Sequence, residues 1–414
     1  MDSTNDSLFG NARFLRLWIG QGISFLGDAV SMVALVVLVV EITGSASAVG
    51  GALVARLLPT IASPLAGVVA DRVDRRVVLV VSDLALAVLV LGLVFARDLA
   101  TIYVLVFLMG LARAVFNPTV RAAFPSVVGG GDLTRANALI SGTFSTSIMV
   151  GPALGGLLVA TVGVDVAFVL DVVTYLVSAI LLSTVPMPRP RRESEQEAGF
   201  VRELRSGFGY LLGARVPLAV VVGAFLTILT INATVPAEVF LAKETFGAGD
   251  AGYGLLVGLW GGGMVLGSAM MAVLGNRINL VLMYFLSIFV GASALVGTGL
   301  APAFVLALVA LTVEGAATGI DNVATDTILQ QRVPEAFLGR VFSIRFLSFS
   351  AGEAIAYPAG GLLVDAVGPR STYILAGIAT AAAGLLVLLA MVAIPRKGGS
   401  QADQVPRHRE EKRE

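Results

Sequence analysis

Long apolar runs, separated by short polar turns, make up most of this chain of 414 residues. A helix needs about 20 apolar residues to cross the hydrocarbon core of a bilayer. We therefore interpret the twelve long apolar runs as membrane-spanning helices. Their predicted limits are residues 14–40, 47–69, 77–96, 100–121, 137–161, 166–185, 216–240, 250–274, 280–299, 302–325, 341–363 and 371–394.

The one long polar segment between these runs extends from Pro186 to Arg215. It begins with three alternating prolines, continues with arginines and glutamates, and ends in a predicted surface helix, Val201–Leu212. We interpret it as a linker between two halves. The predicted organisation is an N-terminal six-helix bundle (1–186), a linker (187–215), a C-terminal six-helix bundle (216–395) and a charged tail (396–414).

The two halves also repeat each other in sequence. A shift of 205 residues aligns polar residues and a glycine block in one register: Arg72 with Arg277, Asn117 with Asn322, and Gly155-Gly156 with Gly360-Gly361. Because each half has six predicted helices, both copies have the same orientation in the membrane. The predicted fold is therefore an all-α polytopic membrane protein with two pseudosymmetric bundles.

The composition supports this class and excludes others. The chain is 57% hydrophobic and only 14% charged, with a mean hydropathy of +0.90, so it could not cover a water-facing surface. It has no cysteine, its one histidine (His408) lies in the charged tail, and it has no phosphate-binding glycine loop. We therefore expect no cofactor, no metal site and no enzymatic activity. The net charge is zero, so nucleic acid is not an expected partner.

The basic residues predict the orientation in the membrane. Of 28 lysines and arginines, only Arg97, Lys243 and Arg370 fall in turns on one side, and Arg56 and Arg113 fall within helices. The rest lie on the other side, which is therefore cytoplasmic. Both termini and the linker are expected there, in a multi-pass protein of the bacterial plasma (inner) membrane. Residues 1–13 are polar, so we expect no cleavable signal there.

Two motifs carry a family resemblance. One is the charged turn after the second run, Gly67-x-x-x-Asp71-Arg72-x-x-Arg75-Arg76, and the other is Gly151-Pro152-x-x-Gly155-Gly156 in the fifth. With them, the chain resembles the major facilitator superfamily, and within it the bacterial drug, macrolide and siderophore exporters. The resemblance covers roughly residues 12–395.

The resemblance implies roles for both motifs. Asp71 would lie against the start of the eleventh helix, near Arg340, and the basic residues would hold the cytoplasmic side closed, so we call the motif the latch. Its alternative is a turn that only sets topology. Asp74 stands where the family pattern has glycine, and this second acid is able to compete for Arg75 or Arg76. The glycine motif implies an antiporter-type kinked helix, with close packing as its alternative.

Charged residues within the helices are the candidate site, since each costs a few kcal/mol in hydrocarbon. At 1.5 Å per residue, Asp28, Arg113, Glu314 and Glu353 lie about 18–20 Å from the outer ends, near the midplane. We predict that Asp28 and Arg113 form a pair, and that Glu314 carries a proton, with Asp28 as second choice. Structural ion pairs are the alternative. Asn117 and Asn322 are either cavity hydrogen-bonding groups or interhelical contacts.

These features predict proton-coupled efflux of lipophilic or amphiphilic small molecules by alternating access. The expected partners are the cargo, protons and the lipid bilayer, and the expected state is a monomer. Import or facilitated diffusion of a small metabolite is the first alternative. A transport-dead receptor or assembly factor on the same scaffold is the second, and an integral-membrane enzyme is the weakest.

Overall fold

A computed structural model describes residues 8–62, 73–128, 132–187, 200–275 and 279–393, and every regular element in these ranges is helical. The helices are α1 (Ala12–Thr43), α2 (Ala46–Leu57), α3 (Arg75–Phe95), α4 (Leu99–Val128), α5 (Leu133–Val162), α6 (Val164–Ser183), α7 (Phe200–Gly213), α8 (Arg215–Asn232), α9 (Val235–Phe240), α10 (Gly249–Leu274), α11 (Leu280–Leu300), α12 (Phe304–Arg332), α13 (Glu335–Val367) and α14 (Pro369–Ala393). A 3-10 turn, Leu58–Ala62, continues α2, and a π-helical turn, Leu241–Thr245, continues α9.

Ten helical segments in the described ranges are long and apolar enough to cross a membrane. One of them, Arg215–Thr245, joins α8, α9 and the π-helical turn. The helix breaks where Pro236, which has no N–H to donate, enters the first turn of α9. Two predicted spans are not among the ten. The apolar stretch containing α2 is short, Ala46–Thr60, and α13 carries charges along its length. The count of twelve spans therefore remains a prediction.

The helix bounds keep the 205-residue register of the sequence repeat. Adding 205 to the bounds of α3, Arg75–Phe95, gives the bounds of α11, Leu280–Leu300. Turn glycines follow the same shift: Gly163 and Gly368 both end a helix with a positive φ, 90° and 80°, which favours glycine. These helix bounds and turns agree with the repeat that the sequence predicts.

The linker ends in the amphipathic helix α7, close to the predicted limits of 201–212. It packs against the start of α13. Arg340 donates to the hydroxyl of Ser206 at 2.9 Å, and the rings of Tyr210 and Phe337 stack 4.7 Å apart. The helix start that we predicted to face the latch is therefore in contact with the linker.

The bundle has two faces, which differ in how the halves meet. We call the side where α1 begins and α6 ends the linker face, and the side with the α1–α2 and α13–α14 turns the opposite face. Near the opposite face, one apolar core contains residues of both halves, such as Val37 and Val49 with Phe240 and Tyr253. Near the linker face, each half has its own core.

Two helix crossings join the halves at the opposite face. In the first, α5 meets α10, where a Cβ built on Gly156 would lie 2.7 Å from the Cα of Gly254. In the second, α13 meets α2, where a Cβ on Gly361 would lie 2.6 Å from the Cα of Ser47. The glycines allow this close approach. Because Gly156 and Gly361 are partners in the repeat, the two crossings are pseudosymmetric.

Candidate transport site

In the N-terminal half, the structure brings Asp28 and Arg113 together. Arg113 Nη1 donates to Asp28 Oδ2 at 2.7 Å, and Nη2 donates to Oδ1. Tyr175 of α6 completes the cluster: its hydroxyl donates to Asp28 Oδ1 and accepts from Arg113 Nη2. The two-point contact with arginine and the tyrosine donor together bind both carboxylate oxygens. This is a fixed charge pair linking α1, α4 and α6.

Two further charged residues surround this cluster. Asp171 of α6 lies against Gly27, where a built Cβ would be 2.5 Å from its Oδ1, and it accepts from Thr174 at 3.1 Å. Arg56 of α2 donates from Nη1 to Met32 Sδ. Its guanidinium is also close enough to Arg113 and Asp28 to interact with them electrostatically. The N-terminal half thus holds two arginines near its interior acids.

In the C-terminal half, Glu314 of α12 is held without any cation. Only 1% of its surface is exposed. Trp260 of α10 donates its indole N–H to Oε2, and Thr318 donates its hydroxyl to Oε1 at 2.9 Å. Both donors are neutral. Loss of the charge on this carboxyl group would therefore break no ion pair among the described residues.

Glu353 and Glu238 also lie within helices of the C-terminal half. Glu353 of α13 accepts from Tyr357, one turn along the same helix, at 3.0 Å. Glu238 of α9 is close enough to Glu314 to interact electrostatically, and within the described residues it makes no hydrogen bond or ion pair. We did not single out Glu238 from the sequence. The sequence does mark this residue, since Glu238 is an acid within the apolar run 216–240.

Asn117 of α4 and Asn322 of α12 keep their repeat-related places on corresponding helices. Asn117 is exposed and Asn322 is partly buried. Neither side chain hydrogen-bonds to another described residue.

Three latch residues, Gly67, Asp71 and Arg72, lie outside the described residues. Arg75, in the first turn of α3, donates to the carbonyl of Ala122 at 3.0 Å. The side chain of Asp74 caps α3 by accepting from the N–H of Arg76 at 2.9 Å. Asp74 therefore satisfies a helix-terminal N–H group, the usual role of an N-cap residue.

At the opposite face, the structure contains an acid–helix contact that we did not predict. Asp365 of α13 accepts from the N–H groups of Ala46 and Ser47 at 2.9 and 3.1 Å, and from the hydroxyl of Ser45 at 3.1 Å. These groups form the start of α2, where the helix macrodipole favours a negative charge. We call this contact between the halves the outer clasp.

The glycine motif of α5 serves two different interfaces. Gly151 and Gly155 face α1, where a Cβ on Gly151 would lie 2.4 Å from Ala29 Cβ. Gly156 faces α10 across the halves. Pro152 lies inside the helix, and its carbonyl oxygen approaches Gly254. Gly254 and Gly258 of α10 pack on this part of α5.

Taken together, these contacts leave the two halves joined at one face and separate at the other, with charged groups between the faces. This arrangement suits movement of a solute between the halves rather than a chemical reaction. In the described ranges, no group of histidine, cysteine, aspartate or glutamate is arranged to hold a metal. The fold and site define a multi-pass membrane transporter.

Comparison with known proteins identifies the family. A family model described as transmembrane secretion effector matches residues 4–414. The chain belongs to this family of major facilitator transporters, which are transport proteins rather than enzymes.

Three similar proteins illustrate the family and its fold. Macrolide efflux protein A of Streptococcus pyogenes is 25% identical over 377 residues, 88% of this chain and 92% of the relative. The enterobactin exporter EntS of Escherichia coli O1:K1 / APEC is 26% identical over 358 residues, 85% of this chain and 83% of the relative. The crystal structure of a bacterial homologue of the iron transporter ferroportin, in an inward-facing state, has a TM-score of 0.72 at 15% identity. It covers 92% of this chain and 98% of that one.

Proposed function

We propose that this protein exports lipophilic or amphiphilic small molecules in exchange for protons. The observation that carries the proposal is Glu314, an acid buried inside a transporter and held only by neutral donors. Such a group can take up and release a proton without breaking an ion pair. Relatives named for the efflux of macrolides and the export of enterobactin support the outward direction.

Alternating access supplies the mechanism. The shared core and the outer clasp hold the opposite face closed, while the separate cores leave the halves free to part at the linker face. Rocking of the halves about the two glycine crossings would break the clasp and close the linker face. The latch at Asp71 is then the counterpart of the clasp on the other side.

The membrane arrangement follows from the charge distribution. Because basic residues collect at the linker face, we assign that face to the cytoplasm of a bacterial plasma membrane, with both termini inside. We assign twelve spans in two six-helix bundles, including α2 and α13. We assign a monomer as the transport unit, because all residues of the interior site come from one chain. The cargo meets mostly apolar side chains, which favours lipophilic or amphiphilic molecules.

The test is transport by purified protein in proteoliposomes with an imposed pH gradient. A growth screen of expressing cells against lipophilic antibiotics and siderophores first supplies the cargo. We expect the labelled cargo to move against its gradient when protons move down theirs, and to stop when a protonophore removes the pH gradient. Accumulation in intact cells would support import instead. Absence of any flux would support a receptor.

A further inference from the structure

Several buried polar atoms in the N-terminal half have no hydrogen-bond partner. They are both carboxylate oxygens of Asp83, Oδ2 of Asp171, the hydroxyl of Ser178 and the amide nitrogen of Gln21. All four residues are at most 3% exposed. They belong to α1, α3 and α6, which pack on one another as α1 against α6 and α3 against α6.

Asp83 is the most unusual of these residues. It is 0% exposed, yet neither oxygen accepts a hydrogen bond from a described group. An isolated ionised carboxylate in such surroundings would cost many kcal/mol, so the group either carries a proton or is hydrated. Ser178 lies beside Asp83, close enough for its hydroxyl to interact with the carboxylate, but the two groups do not meet the geometry of a hydrogen bond. Polar gaps of this kind hold buried water in proteins.

The unpartnered groups form a column that leads to the charge pair. Counted along their helices at 1.5 Å per residue, Asp83 lies about 12 Å from the linker face, Asp171 about 18 Å and Asp28 about 24 Å. Asp171 adjoins Gly27, next in the chain to Asp28. Tyr175 follows Asp171 by four residues and Ser178 follows Tyr175 by three, so all three lie on one face of α6.

The groups that face Asp83 come from each neighbouring helix. From α1 it is Asp28, from α4 Arg113 and from α6 Ser178. The ion pair that Arg113 makes within the described residues is with Asp28, not with Asp83. Asp83 is therefore an acid near a charge pair, without a cation of its own.

We propose that Asp83 is a proton-binding site, and that buried water beside Ser178 passes to it the proton of Asp171, which lies beside the Asp28–Arg113–Tyr175 cluster. This relay rests on the proposed function and adds to it a proton site in the N-terminal half. In each step one O–H bond of the donor breaks and one O–H bond of the acceptor forms. The acceptor carboxylate becomes neutral and the donor regains its charge. The proton leaves Asp83 to water at the linker face, the direction that proton-driven export requires.

The first test needs no cargo. Infrared difference spectra of the purified wild-type protein, recorded between low and high pH, should contain a protonated-carboxyl C=O band that shifts in heavy water. We expect this band to disappear in Asp83→Asn and to change frequency in Asp83→Glu. A band that is unchanged in Asp83→Asn would overturn the proposal, even if the protein never transports protons.

The second test separates proton delivery from a structural role. Asp83→Asn and Ser178→Ala should lose most pH-gradient-driven transport, while exchange of labelled for unlabelled cargo, which needs no net proton movement, stays near the wild-type rate. The matched control is Ser82→Ala, a buried polar residue on the same helix but a different face. It should keep both activities. Loss of exchange in both variants would mean a structural role, and restoration by sodium would mean a sodium site. Either result overturns the proposal.

These outcomes distinguish this inference from the proposed function. If wild-type protein shows no proton-driven transport, the proposed function fails, but the infrared band still decides whether Asp83 binds a proton. If wild-type transport is proton-driven and Asp83→Asn is unaffected, the relay fails and the proposed function stands.

Discussion

The two halves of the molecule share a 205-residue sequence register, yet their interior acids have different partners. In the N-terminal half, Asp28 is bound by a guanidinium and a tyrosine hydroxyl. In the C-terminal half, Glu314 at the corresponding depth has only an indole and a threonine hydroxyl. A carboxylate bound to arginine keeps its charge, whereas one held by neutral donors can change it. We infer that the two halves have different roles. The N-terminal half holds a fixed ion pair, and the C-terminal half holds an acid that gains and loses a proton, which we call the switching acid.

The largest effect should come from removing the switching acid. Glu314→Gln keeps the size of the side chain. Its amide oxygen can accept from Trp260 while its NH2 group donates to the Thr318 hydroxyl, but the amide cannot titrate. We expect pH-gradient-driven transport to fall to the level of empty proteoliposomes, while cargo exchange continues. Glu353→Gln is the matched control, since Glu353 is bound only within its own helix. Full proton coupling in Glu314→Gln would rule out this acid as the carrier.

Breaking the fixed pair should have the next largest effect. Arg113→Ala leaves Asp28 without its cation, and loss of one partner of a buried pair costs about 3–5 kcal/mol. We expect a lower free energy of unfolding in detergent and reduced transport for Arg113→Ala and for Asp28→Asn. The double variant should be no worse than either single one, because it leaves no unpaired charge. Additive losses in the double variant would show that the two residues act independently.

The helical architecture was largely predictable from the sequence, because apolar runs and the 205-residue register are properties of consecutive residues. The linker helix and the corresponding bounds of α3 and α11 agree with that pattern. The number of spans was harder to predict, because α13 carries Arg340, Arg345 and Glu353 along its length. Helices that pack on other helices tolerate such charges, so hydropathy alone cannot decide the count.

The candidate site was predictable only in part. Counting residues from the helix ends gave the depth of Asp28 and Arg113, and this sufficed to suggest their contact. Counting could not reveal that Tyr175 and Trp260 contact the interior acids, because an aromatic residue in an apolar helix does not stand out in the sequence as a charged one does. The outer clasp joins Asp365 to residues 318 to 320 positions away in the chain. No local pattern encodes such a contact.

The two glycine crossings between the halves also differ. Within the described residues, the crossing of α2 and α13 has the outer clasp and the crossing of α5 and α10 does not. Asp365→Ala removes three hydrogen bonds to the start of α2, and loss of such a cap costs about 1–2 kcal/mol. We expect the population with an open opposite face to rise roughly tenfold.

The chain has no cysteine, so spin labels on cysteines introduced at Val162 and Leu300 can report this opening without interference. Both positions are exposed at the opposite face, one in each half. We expect Asp365→Ala to enlarge the long-distance fraction between the labels. Asp165→Ala, which removes an exposed acid at the same face, should leave the distances unchanged. Equal effects of the two variants would mean that the clasp does not hold this face closed.

The smallest effect, and the most direct comparison of the halves, comes from deleting one neutral donor in each. Tyr175→Phe leaves both Arg113 contacts on Asp28, so we expect transport to stay within about threefold of wild type. Trp260→Phe leaves Glu314 with Thr318 alone, and loss of one hydrogen bond, about 1 kcal/mol, should slow pH-gradient-driven transport roughly fivefold. The measurement is the initial rate in proteoliposomes at matched protein content. If Tyr175→Phe were the more damaging change, the N-terminal cluster would be the switching site, and the roles of the two halves would be reversed.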